Sequence, residues 1–174
     1  MEYNLIFTWW ILLLILSLIG LPITSTLFWR LSDKGTSAAL TFSLTILFFS
    51  VYWVGQFSFN FSTVVVGLAS LTILSLGVFF LNRPVLPIKR FAESFTVFTI
   101  AFLLILAIRS ADPSIYPIGG EKFLDFGLLQ SILRSSVLPP EDFWFAGETI
   151  RYYYGGHLIS AILSMLSGIP AKFA

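Results

Sequence analysis

Four long apolar runs set the limits on what this chain can fold into. They cover roughly Leu5–Trp29, Ala38–Val54, Phe61–Leu81 and Phe91–Ile108. Each reaches the roughly 17–25 helical residues that cross a hydrocarbon core. Strands at that depth would have to close into a barrel and would alternate in polarity. These runs are continuous, so helices are expected. Composition agrees: 57% of the chain is hydrophobic and 11% charged, against about 25% charged in soluble domains. A chain of 174 residues has too little interior to hide so much apolar surface from water. The bilayer has to be the solvent. The expected fold class is all-α, a polytopic membrane helix bundle of about four to five transmembrane helices with one long outward loop.

Detail within the runs fits this reading. Trp9, Trp10, Trp29, Tyr52 and Trp53 fall near run ends, where amphipathic rings favour the headgroup region. Pro22 lies inside the first run and predicts a kink, because its ring removes a backbone donor. The N-terminus carries Glu2, no Lys or Arg, and no small-x-small cleavage site, so it reads as a retained span rather than a signal peptide.

Several function classes are excluded. A net charge of +1 with no basic stripe gives nothing for nucleic acid to bind. The absence of Cys removes disulfides, thiolate metal sites and cysteine nucleophiles. No P-loop, dinucleotide glycine pattern, G-x-S-x-G elbow or H-E-x-x-H pair is present.

The short loops predict an orientation. Arg30 and Lys34 follow the first run, and Arg83, Lys89 and Arg90 follow the third, whereas Gly55–Asn60 carries no charge. Basic residues favour the cytoplasmic side. The expectation is an integral plasma-membrane protein with its N-terminus and the 109–151 loop outside. Three regions follow: a four-helix transmembrane region over 1–108, an extracytoplasmic loop with short helices over 109–151, and the start of a truncated fifth membrane helix over 152–174. The loop holds six of the nine acids, namely Asp112, Glu121, Asp125, Glu141, Asp142 and Glu148. Its Phe123, Leu124, Phe126, Phe143, Trp144 and Phe145 make it too apolar for a solvated linker. A loop of this length is usually functional.

Two stretches could carry chemistry. Gly119-Gly120-Glu121-Lys122 reads as a turn opening a helix that runs to about Arg134. Glu121 and Asp125 share a face that continues with Leu128 and Ile132. Acids in a first turn can simply complement the helix dipole. A cleft-facing pair could instead hold a divalent metal ion or act as a general base. In the second stretch Tyr153, His157, Ser160, Ser164 and Ser167 form one stripe of an apolar helix over about Tyr152–Ile169. Such a stripe faces protein or a wet cavity rather than lipid, which makes Tyr153 and His157 candidates for substrate binding. The plainer role for His157 is a hydrogen-bonded residue inside the bundle. Pro139-Pro140-Glu141-Asp142-Phe143-Trp144 reads as a loop resting on the membrane through Phe143 and Trp144.

In order, these motifs are Glu121-Lys122-Phe123-Leu124-Asp125-Phe126, Ile132-Leu133-Arg134-Ser135, Pro139-Pro140, Phe143-Trp144-Phe145-Ala146-Gly147 and Arg151-Tyr152-Tyr153-Tyr154-Gly155-Gly156-His157. Together they resemble the YYY-type multi-pass membrane proteins of archaea and Chloroflexi-like bacteria, the DUF2298 group. The resemblance covers about Arg109–Ile169 by motif and the N-terminal part by pattern. That group's layout is similar to membrane glycosyltransferases of the GT-C type, which take sugar from a polyprenyl-phosphate carrier. The resemblance implies Asp125 as the catalytic or metal-binding acid, Glu121 as its partner, and Arg134 or Arg151 as a lipid-phosphate contact. An arginine fork suits a phosphate better than an ammonium does. Family members are several times longer, so the chain is expected to be an N-terminal portion that works with further C-terminal spans or a partner membrane subunit. Readings from other classes are a membrane transport or binding protein with a polar cavity, and a non-catalytic scaffold subunit.

Overall fold

A computed structural model describes residues 3–115 and 121–173. Among the described residues it contains six α-helices and two short 3-10 turns. The long ones are α1 (Tyr3–Leu27), α2 (Ala39–Gly55), α3 (Phe61–Asn82) and α4 (Ile88–Ser110). All four are long and apolar enough to cross a membrane, and the protein is an integral multi-pass membrane helix bundle. In hydrocarbon a backbone must satisfy its own polar groups, which leaves these continuous Leu, Ile, Phe and Val runs no alternative to the helix. Hydroxyls inside them bond back one turn: Ser17 donates to the Leu13 carbonyl at 2.7 Å, Thr45 to Thr41 at 2.8 Å and Thr96 to Ala92 at 2.8 Å. Helix α1 runs unbroken through Pro22.

The shorter helices are α5 (Lys122–Arg134) and α6 (Gly155–Ser167). Helix α6 differs from the fifth membrane helix expected from Tyr152. Its 13 residues span about 20 Å at 1.5 Å per residue, short of a hydrocarbon core of about 30 Å. The three tyrosines precede it, and Gly168 ends it at φ 70°, a left-handed cap open to glycine. The Gly119-Gly120 turn expected before α5 lies outside the described residues.

The chain divides into two compact units. One takes 1–9, 46–68 and 114–174. Its core is Val51, Val64, Leu128, Ile132, Leu138, Leu158 and Ile162, all essentially inaccessible. Here the loop is pinned to the α2–α3 turn: the Phe59 amide donates to the Ser136 carbonyl at 2.6 Å, and the Leu138 amide to the Gly55 carbonyl at 2.8 Å. The Leu138 side chain covers Gly55 so closely that a Cβ there would lie 2.7 Å from it.

The second unit takes 10–45 and 69–113. Gly20 of α1 lies against α2, and a Cβ on it would stand 2.3 Å from Ser43 Oγ and 2.4 Å from the Ala39 carbonyl oxygen. Such small-residue contacts are how membrane helices approach closely. Ser43 donates to the Leu16 carbonyl at 2.6 Å, and Ser75 of α3 donates to the Ile19 carbonyl. Trp10 Nε1 donates to Thr99 Oγ1 of α4 at 3.0 Å. In the α1–α2 loop Asp33 accepts from the Ser37 hydroxyl and amide and the Gly35 amide. The Ser37 hydroxyl bond, with the two amides, holds its carboxyl below the usual value of 3.8.

Candidate functional site

Helices α5 and α6 meet at one pair of side chains. Asp125 stands in the first turn of α5 and His157 in the first turn of α6. Their Oδ1 and Nε2 atoms lie 3.1 Å apart. A carboxylate oxygen accepts, so Nε2 carries the proton and donates. The histidine side chain is 18% exposed and the carboxylate 55%, which puts the acid at the surface and its partner behind it. His157 Nδ1 is buried and meets no hydrogen-bond partner among the described residues. The helices place the pair: Leu128 and Ile132 continue α5 into the core, Leu158 and Ile162 do so on α6, and burying these faces draws the two first turns together.

The tyrosine triplet divides between surface and interior. Tyr152 and Tyr153 lie with ring centroids 4.1 Å apart and planes tilted by 31°. The Tyr152 phenol is pushed up, first by its hydrogen bond with Tyr153, then by desolvation, and further by the negative charges of Glu121 and Asp125. Tyr153 precedes α6, is 71% exposed and lies off the expected stripe. Tyr154 turns inward toward Tyr52, and burial pushes its phenol up to about 12, with the neighbouring Tyr52 hydroxyl adding to the effect.

The serines of that stripe serve the backbone. Ser160 donates to the Gly156 carbonyl at 3.3 Å, Ser164 to the Ile169 carbonyl and Ser167 to the Ser164 carbonyl at 3.3 Å. Their hydroxyls complete α6 and its C-terminal turn instead of lining a polar cavity.

The remaining predicted residues are distributed unevenly. Glu121 precedes α5 without a side-chain capping bond, and its carbonyl accepts the Asp125 amide at 2.9 Å. Arg134 closes the last turn of α5, nine positions from Asp125; at about 100° per residue that is the opposite face. It lines an open cleft of about 900 Å³ with Gln130, Ser131, Phe143 and Gly147. Arg151 pairs with Glu148 at 3.3 Å, both well exposed, and lines a smaller hollow of about 330 Å³ with Tyr152, Leu124 and Leu128. The structure therefore brings Arg151 to the Tyr152 side of α5 and leaves Arg134 apart. Among the described residues no three His, Cys, Asp or Glu converge, and Asp125 already spends an oxygen on His157.

The sequence singled out Asp125 and His157 separately, and their pairing was not legible in it. Tyr152, unassigned in the sequence, stands next to Arg151 at the head of the triplet. Glu141 and Asp142, unassigned in the sequence, turn out to shape the loop. Glu141 Oε1 accepts the Gly147 amide at 2.8 Å and Asp142 Oδ1 accepts the Trp144 amide at 2.8 Å.

No curated protein and no solved structure matches the chain. A family model described as an uncharacterized membrane protein (DUF2298) matches residues 44–174. That stretch holds α3 to α6, the tyrosine triplet and both members of the Asp125–His157 pair. The chain therefore belongs to the DUF2298 family of membrane proteins.

Proposed function

We propose that this chain forms the loop-bearing part of a GT-C-like membrane glycosyltransferase that takes sugar from a polyprenyl-phosphate carrier. The observation that carries the reading is the 3.1 Å bond between the exposed Asp125 carboxylate and the recessed His157. A carboxylate held from behind by an N–H is oriented for one proton transfer, and a purely dipole-complementing acid needs no such partner. The pair sits on two short helices that follow the last long apolar helix, where a lipid-linked donor can reach it.

In this reading the acceptor hydroxyl attacks the anomeric carbon on the face opposite the carrier phosphate. The bond from that carbon to the phosphate oxygen breaks, and the phosphate leaves with the electron pair. Asp125 takes the acceptor proton, so the transfer inverts the anomeric centre. His157 is a positioning residue. Arg151, beside Tyr152, is favoured over Arg134 as the phosphate contact, because Arg134 lies on the opposite face of α5. The Lys and Arg bias of the short loops supports an extracytoplasmic site.

The test is transfer from a polyprenyl-phosphate sugar, using membranes that carry this chain within a full-length family member. Asp125→Asn should cut transfer by about 10²–10⁴-fold while leaving the protein folded. Glu121→Gln should cost less. A folded Asp125→Asn protein with full transfer removes the acid from the site, and a wild-type protein inactive with every such donor overturns the reading.

A further inference from the structure

Residues 141–149 form a closed excursion from the loop. Glu141 and Thr149 face each other across an antiparallel bridge, and the Ile150 amide donates to the Pro140 carbonyl at 2.9 Å. Between these ends lie Phe143, Trp144, Phe145 and Ala146. The three aromatics divide. Phe143 turns inward onto Gly127 of α5, where a Cβ would stand 2.7 Å from its ring. Trp144 and Phe145 turn outward, 64% and 71% exposed. The sequence expected Phe143 and Trp144 at the surface; the notch left by Gly127 exchanges Phe143 for Phe145.

We infer that this Trp144–Phe145 tip is a preformed anchor that enters the headgroup boundary of the lipid bilayer. Three observations carry the inference. The first is the state of the tip's backbone. Asp142 Oδ1 accepts the Trp144 and Phe145 amides at 2.8 and 3.3 Å, Glu141 Oε1 accepts the Gly147 amide at 2.8 Å, and the Glu148 amide donates to the Phe145 carbonyl at 3.1 Å. An amide that keeps its partner inside the protein can leave water without the penalty of a lost hydrogen bond.

The second observation is position. The segment leading to the tip is tied to the end of α2 and to the turn before α3 by the Leu138–Gly55 and Phe59–Ser136 backbone bonds. That turn closes two membrane helices, and its Phe57 is 87% exposed. The tip is thus tethered a few residues from a surface already at the membrane edge. The third is charge. The Glu141 and Asp142 oxygens are turned to backbone amides at the root of the tip, while Glu148 and Arg151 pair on the exposed flank. The leading side chains are aromatic, of the kind enriched at bilayer interfaces. The occupant that this combination fits is a lipid surface.

The chain has no cysteine, so a nitroxide can be attached to it at one chosen position, with the protein in phosphatidylcholine vesicles. Ala146→Cys reports on the tip and keeps both aromatic rings; Glu148→Cys reports on the flank. Relaxation by oxygen, which concentrates in lipid, is compared with relaxation by a water-soluble nickel chelate. The tip label should favour oxygen and the flank label the chelate, a reversal of the ratio over two residues. A tip label as open to the chelate as the flank label overturns the inference, and so does a tip label shielded from both reagents, which would mean protein covers it. Adding Asp142→Ala should swing the tip toward the chelate, whereas Asp142→Asn, which keeps the acceptor oxygen, should not. An unchanged ratio in a folded Asp142→Ala protein removes the carboxylate from the anchor. Should that variant not fold, the comparison of tip with flank decides alone.

Discussion

Asp125 and His157 are 32 residues apart in the chain and 3.1 Å apart in space. Two short helices and the loop between them are arranged around that bond. Its worth to the fold is set by its setting, a half-exposed acid on a largely covered ring. A double-mutant cycle with Asp125→Asn and His157→Phe, followed by denaturant unfolding in detergent, should give a coupling of about 0.5–1.5 kcal/mol. A coupling of zero would mean that the two side chains are neighbours without being partners.

Two glycines of the long helices make opposite predictions. Gly20→Ala forces a methyl onto the Ala39 carbonyl and the Ser43 hydroxyl, and backbone cannot step aside cheaply. It should destabilise the protein by about 1–3 kcal/mol, even though alanine is the better helix former by roughly 1 kcal/mol. Gly77→Ala meets nothing within 4 Å and should be neutral or stabilising by up to about 1 kcal/mol. Thermal unfolding of both variants in one detergent checks the contrast.

Tyr154 supplies a pH dependence. Burial raises its phenol to about 12 from an ordinary 10.0. The folded state therefore binds this proton more tightly than the unfolded state does. Its stabilising contribution is complete below pH 10 and is lost as pH rises toward 12. Tyrosinate absorbance during alkaline titration should show a phenol near 12 that disappears in Tyr154→Phe. Because burial is the first cause of the shift and phenylalanine keeps the buried ring, Tyr154→Phe should cost little stability at neutral pH. A late phenol that survives the substitution assigns the shift to another tyrosine.

Orientation is open to direct labelling. The proposal puts the loop after α4 outside and the α3–α4 connection inside. Ser114→Cys should react with an impermeant thiol reagent in intact cells, and Lys89→Cys only after the cells are opened. The reverse pattern would invert the topology and place the Asp125 site in the cytoplasm.

The long helices were legible because their cause is local. The expected Phe61–Leu81 became Phe61–Asn82 and Ala38–Val54 became Ala39–Gly55, as continuous apolar runs dictate whatever surrounds them. Helix α5 was legible down to its end at Arg134. What escaped depends on contacts between distant segments. The start of α6 was placed at Tyr152, since the tyrosines are apolar enough to read as helix, but it begins at Gly155. The Asp125–His157 bond needs the path of the whole loop, which no periodicity encodes. The serines of α6 looked like a stripe facing a cavity because spacing alone cannot distinguish a ligand-facing hydroxyl from one bonded to its own helix.

The hydroxyls of Ser43 and Ser75 have a mechanical consequence. Each reaches a carbonyl of α1, at Leu16 and Ile19, from a different neighbouring helix. Sliding α1 along its axis by one residue, about 1.5 Å, would carry both acceptors off their donors at once. Bilayers differ in thickness by a few ångströms, and helices can meet a mismatch by tilting or by shifting. With this double fastening α1, α2 and α3 behave as one gauge, so a thinner or thicker membrane is met by tilt of the three together and their relative heights stay fixed.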